Sequence, residues 1–254
     1  MILSTVGNLE IFTLEKCFFA YNQGLSRRFT FRYNIEKYTA EQLQGNYDKF
    51  IEALKKVFKG ERLEKLLLMY SETELGQELA LAPASGKLHF HSAYVGGYID
   101  HVLNVARNSV RLKRVFEEGG LKVDFTDEEL LFAAFHHDLG KLGTKEEGPL
   151  YKPETSDWHR KNQNSMFKHN GELHFMDVTH RALWLLNQYG IPYTEKEMLG
   201  IMLADGLYND ATKPYFISYK EEFRLKTDLP YILHWADHMS CRQENKEWED
   251  SKPF

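Results

Sequence analysis

"AAFHHDLGKLG", residues 133–143, places two histidines, an aspartate and a lysine where a helix would otherwise run on in apolar residues. Thr126 followed by Glu129 predicts a capping-box start, and Leu130, Ala133 and Ala134 mark the buried stripe of a helix expected to end near Gly140. His137 stands four residues after Ala133 and Asp138 four after Ala134, so both continue the core-facing stripe. A carboxylate there is costly unless a partner or a metal ion neutralises it. Taken alone, the dipeptide fits a buried His–Asp hydrogen bond capping a core as well as it fits a metal site.

Around this stretch the helical period dominates. Residues 39–58, 61–72, 98–116, 126–139, 179–190, 195–205 and 229–244 each carry apolar side chains at i, i+3, i+4 spacing. Before them, "ILSTV" (2–6), "LEIFTL" (9–14) and "RRFTFRYNI" (27–35) read as short β-like runs. The expectation is a mainly α protein with a small N-terminal region carrying short β-strands. Its division is expected to be 1–70, an extension packing on the core, and 71–254, the body that carries the site.

Composition narrows the class. With 254 residues, 43% hydrophobic and 27% charged, the chain can bury a sizeable core. A formal charge of −5 offers no basic field, so no general affinity for nucleic acid is expected. Cys17 and Cys241 lie far apart and outside any CxxC spacing, which argues against a disulfide framework and a thiolate zinc site. No basic, apolar leader and no run of about 18 apolar residues is found. The expected setting is cytoplasmic, without a membrane span.

Two further residues join the His-Asp pair. His101 lies one turn from Tyr98 and Val105, and Asp237 one turn after Leu233 and three residues before Ser240, both on inward faces. Imidazoles and carboxylates converging from three helices suit a borderline or hard divalent ion. Such an ion lowers the pKa of a water and neutralises phosphoryl charge, so hydrolysis of a phosphate ester is the natural reaction. Lys141, one turn after His137, would place an ammonium beside the same pocket, or else stabilise a helix end.

The ordered set His101, His137-Asp138 and Asp237 resembles the HD-domain metal-dependent phosphohydrolase superfamily. "LAPASGKLHFHSAYVGGYIDHVLNVA" (81–106) is similar to the lead-in of HD proteins related to a 3′-5′ exoribonuclease group, and "LHWADHMSCR" (233–242) to the closing helix of the domain. The resemblance covers roughly residues 75–245 and implies an all-α helical bundle. It implies metal ligation by His101, His137, Asp138 and Asp237, with Asp138 and Lys141 catalytic. Two-metal branches add two histidines before the last aspartate. His180 and Asp205 occupy comparable places here, Asp205 departing from histidine, so one ion or two remain open. Mn, Fe, Mg, Ni, Co and Zn all suit the set. In the 5′-deoxynucleotidase branch an acidic residue matches Lys141, which makes that branch a poorer fit.

Other residues are weighed for the substrate. Residues 151–178 carry no strong helical period and read as a long loop. In it Trp158, His159, Arg160 and Lys161 can stack on a base and pair with phosphate, or form a solvated cluster. His169 and His174 read equally as surface residues or ligands. His136 is expected beside the metal pair, contacting substrate or orienting a ligand, Tyr208 in the pocket wall, and His89 and His91 near the pocket. The function implied is hydrolysis of a nucleotide or another small phosphorylated compound, by a chain that can form a homo-oligomer. The alternatives are a 3′-5′ exonuclease or phosphodiesterase, a mixed-valent diiron oxygenase, and a non-catalytic regulatory module with a closed metal site.

Overall fold

Residues 37–251 are described by the computed structural model, so the β-like runs read in residues 1–36 lie outside the described residues. Helix α1 (Ala40–Val57) begins on a capping box in which Thr39 Oγ1 accepts from Gln42 N–H and Gln42 Oε1 accepts from Thr39 N–H. Its apolar period buries Leu43, Tyr47, Phe50, Ile51 and Leu54. Helix α2 (Gly60–Ser71) turns back on it: Tyr47 OH donates to Tyr70 O at 2.8 Å, and the Phe50 and Tyr70 rings meet edge to face at 5.2 Å. Both helices pack with α3 (Leu75–Leu81).

Helix α4 (Gly97–Glu118) follows, then α5 (Asp127–His136) and a 3₁₀ turn at Leu139–Leu142. A hairpin of β1 (Tyr151–Pro153) and β2 (Phe167–His169) encloses α6 (Asp157–Gln163). After it come α7 (Val178–Gln188), α8 (Glu195–Met202), α9 (Lys213–Ile217) and α10 (Leu229–Asp250). The fold is mainly α, with one two-stranded antiparallel sheet among the described residues. None of the described helices is long and apolar enough to cross a membrane.

The described chain forms two compact units, and their division does not fall at residue 70. One contains residues 37–101, 141–175 and 244–251; the other contains 102–140 and 176–243. The first holds α1–α3 and the hairpin, built on a cluster of Leu43, Leu81, Leu88, Ala93, Val95, Met166 and Phe167. The second holds α5, α7, α8 and α9 with the greater parts of α4 and α10. There α8 lies on α5 and α7. Gly200 makes the approach to α5 close, since a Cβ on it would stand 3.0 Å from the Ala133 Cβ and 2.3 Å from Leu229 Cδ2. Asn108 of α4 donates to Ser240 Oγ at 2.8 Å and Gln243 Oε1 at 2.9 Å of α10.

Three expectations are corrected. Residues 151–178 are not one irregular loop. Tyr151 pairs with His169 and Pro153 with Phe167, while Ser156 caps α6 and Asn164 ends it at φ 52°. Strands three residues long are too short to show a period, and their ordering comes from burying Met166 and Phe167. Helix α5 stops at His136 and does not run to Gly140. Asp205 is exposed: α8 ends at Met202, and Gly206 at φ +51° turns the chain under the His234 ring, so the helical spacing from Ile201 no longer applies.

One half-buried acid gives the first unit a pH dependence. Burial raises the carboxyl of Glu78 in α3 from about 4.5 to about 7. The folded state therefore holds a proton that the unfolded chain releases, and stability declines as pH rises from 4.5 through 7. The expected loss is about 3 kcal/mol. Chemical denaturation at pH 4.5 and pH 8 should show this decline in the wild type and a flatter profile in Glu78→Gln. Equal pH profiles would refute the assignment.

Candidate metal centre

In the second unit the site begins at the end of α5. Thr126 Oγ1 accepts from Glu129 N–H, and the apolar run Leu130 to Phe135 is buried, so the helix delivers His137 into the interior. His137 Nδ1 lies 2.9 Å from Ala134 O. A carbonyl can only accept, so Nδ1 carries the proton and the lone pair of the neutral ring is on Nε2. Nε2 lies 3.7 Å from Asp138 Oδ2 and 3.9 Å from Asp237 Oδ1. Donors bound at about 2.0–2.2 Å to one tetrahedral ion are separated by about 3.3–3.6 Å, so a small inward adjustment suffices. Asp237 Oδ1 also receives Cys241 Sγ at 3.4 Å, one turn along α10.

His101 is the last residue assigned to the first unit, and helix α4 runs unbroken from it into the second. Its ring is buried, as that of His137 is. One side of the His101 ring is held in the first unit: Nδ1 is 3.2 and 3.3 Å from the carboxylate oxygens of Glu244, which also accepts from Ser92 Oγ at 2.7 Å. Nδ1–H thus points at a carboxylate, and Nε2 carries the lone pair. A histidine whose far nitrogen is fixed by a carboxylate or a carbonyl is the arrangement that orients metal-binding imidazoles. His91 lies against His101 at 4.6 Å between ring centroids.

Both imidazoles are buried, whereas the Asp138 and Asp237 side chains keep 12% and 21% of their surface. The carboxylates therefore form the open side. The His137 nitrogen with the Asp138 and Asp237 carboxylates beside it fits a divalent ion, the carboxylates supplying the negative charge.

The other sequence candidates have surroundings of their own. His180 is exposed and pairs with Asp177 at 3.5 Å; the buried face of α7 is Thr179, Arg181, Ala182, Leu185 and Leu186. Asp205 is exposed. His136 is fully buried, its Nδ1 bonded to Phe132 O at 2.7 Å, so it faces the core. Lys141 donates to Ala84 O at 2.6 Å. Arg160 is buried and tied to Asp157 and Thr155 O within its own segment, and His159 Nδ1 bonds Glu154. Trp158 and Lys161 are exposed. Tyr208 is exposed, its hydroxyl 3.0 Å from His238 Nδ1. His89, His169 and His174 are also exposed.

The residues not foreseen are Glu244, Ser92 and Cys241. Asp237, Cys241 and Glu244 stand at i, i+4 and i+7, one face of α10, and that spacing was the available signal.

No family model and no solved structure matches the chain. A cfxQ-like protein of Acanthamoeba polyphaga mimivirus is 57% identical to it over 30 residues. That stretch is 12% of this chain and 7% of the viral protein, too short a span to carry a function across.

Proposed function

We propose that the protein is a metal-dependent phosphohydrolase of the HD type, acting on a nucleotide or another small phosphorylated compound. The observation that carries this reading is the geometry of His137, Asp138 and Asp237, a buried imidazole whose Nδ1 is fixed on Ala134 O and whose Nε2 lies 3.7 and 3.9 Å from two carboxylates. His101, His137, Asp138 and Asp237 would hold the ion. When bound, it would supply Lewis acidity toward a phosphoryl oxygen and a water of lowered pKa. The protein's own part is to hold the two tautomers, through Glu244 and Ala134 O, and to leave the carboxylate side open to a phosphate ester. The partial exposure of Asp138 and Asp237 favours a catalytic site over a closed structural one. With His180 and Asp205 exposed, one ion is the simpler stoichiometry.

Elemental analysis after loading with manganese, iron or zinc, followed by a phosphate-release screen across nucleotides, tests this. About one ion per chain and metal-dependent release are expected. No ion above background would overturn the site, and an ion without release from any phosphate ester would overturn the activity. Glu244→Gln probes the support of His101: metal affinity should fall on the order of 10–100-fold, with helical content retained. Unchanged affinity would show that Glu244 is only a core contact.

A further inference from the structure

The second unit also contains a cavity of about 590 Å³ that the metal reading does not use. Leu199 of α8, Pro214 and Tyr215 of α9, and the following Phe223 and Leu225 supply apolar walls. This volume lies in the range of small-molecule pockets. Three cations, Lys196, Arg224 and Lys226, line it together with two carboxylates, Glu195 and Glu222. Lys196 is paired with Asp124 at 3.1 Å, and Lys226 donates to Glu221 O at 3.3 Å. The Arg224 side chain makes no ion pair or hydrogen bond among the described residues, leaving a planar fork of donors at an apolar cavity. In this lining Phe223 is 61% and Tyr215 41% exposed, aromatic surface open to a ligand.

The position of the cavity separates it from the metal centre. Asp124, just before α5, accepts from Thr227 Oγ1 at 3.0 Å and from Asp228 N–H at 3.3 Å, and Thr194 Oγ1 donates to Glu129 Oε1 at 3.0 Å. The starts of α5, α8 and α10 therefore meet here. His137 lies at the far end of α5, and Asp237 more than two turns along α10, each about 12 Å or more away at 1.5 Å per residue.

We propose that this cavity is a second ligand site, taking a small aromatic monoanion whose carboxylate or sulfonate head pairs with Arg224 while its ring packs on Leu199, Tyr215 and Phe223. The two carboxylates leave the lining with a single excess positive charge, so a monoanion suits it better than a polyphosphate. The site is independent of the proposed hydrolase reading.

Titration of the whole chain with 1-anilinonaphthalene-8-sulfonate, followed by fluorescence, tests it, with neutral N-phenyl-1-naphthylamine as the uncharged comparison. Saturable binding of one sulfonate per chain is expected. Arg224→Ala should weaken it about tenfold or more, Arg224→Lys should be intermediate, and the neutral probe should not distinguish Arg224→Ala from wild type. Leu199→Trp, which fills the cavity, should abolish binding; Tyr215→Ala, an exposed wall residue, is the alternative if that variant does not fold, and should weaken it. Metal content should stay at the wild-type value throughout. Equal sulfonate affinity in wild type and Arg224→Ala, saturable binding that survives Leu199→Trp, or no saturable binding by the wild type would each overturn the proposal.

Discussion

His137→Ala is expected to purify with wild-type helical content, no bound divalent ion, and phosphate release lowered by at least about 10³-fold, roughly 4 kcal/mol of transition-state stabilisation. The expectation follows from where the ring sits. It is buried, its Nδ1 is committed to Ala134 O, and its Nε2 stands between the carboxylates of Asp138 and Asp237. Removing it takes the nitrogen that lies 3.7 and 3.9 Å from the two carboxylates out of the set. The helix need not fail, because its capping box and its apolar run from Leu130 to Phe135 are untouched. A thermal readout separates loss of the site from loss of the fold. Metal at a hundredfold excess over Kd stabilises a protein that binds it by about 2.7 kcal/mol, or roughly 5–10 °C in Tm here, and the variant should show no such rise. A variant with full metal content and turnover would defeat both the site and the proposed activity. Asp138→Ala should behave in the same direction, since Asp138 is the carboxylate nearest Nε2.

Gly140→Ala should cost about 3 kcal/mol of stability. An added Cβ would stand 2.1 Å from Val178 O and 2.9 Å from Val178 C, at the start of α7, and 3.0 Å from the Arg181 Cβ. Backbone atoms cannot rotate away, so either α7 or the 137–142 turn must move. The turn carries His137 and Asp138, and metal affinity should fall with stability. Gly45→Ala is the matched control: nothing lies within 4 Å of its Cβ position inside α1, and it should stabilise by about 0.5–1 kcal/mol. Urea denaturation of both variants decides the matter. A Gly140→Ala midpoint at or above wild type would show that the approach of α7 is not what requires glycine there.

Much of the molecule was legible from local signals. The capping box at Thr126 and the i, i+3, i+4 stripes depend on residues a turn apart, and the box forms. The mainly α class followed from them. The inward placement of His101 and His137 was readable for the same reason, since a polar side chain continuing an apolar stripe must be buried with it. What tertiary structure alone decided has a common cause: it depends on where chain segments stop or approach one another. The Asp205 reading extrapolated a helix beyond Met202, and Gly206, turned under a histidine from α10, breaks that period. Arg160 looked like a phosphate partner in a basic run, but the short helix between two three-residue strands folds its guanidinium onto Asp157. Glu244 shares a face of α10 with Asp237, but only the meeting of α4 and α10 puts it 3.2 Å from His101 Nδ1 and makes it the group that fixes that ring. Periodicity reports which face of a segment is buried, and it carries no information about which buried faces will be neighbours, because that depends on contacts between residues 143 positions apart in the chain.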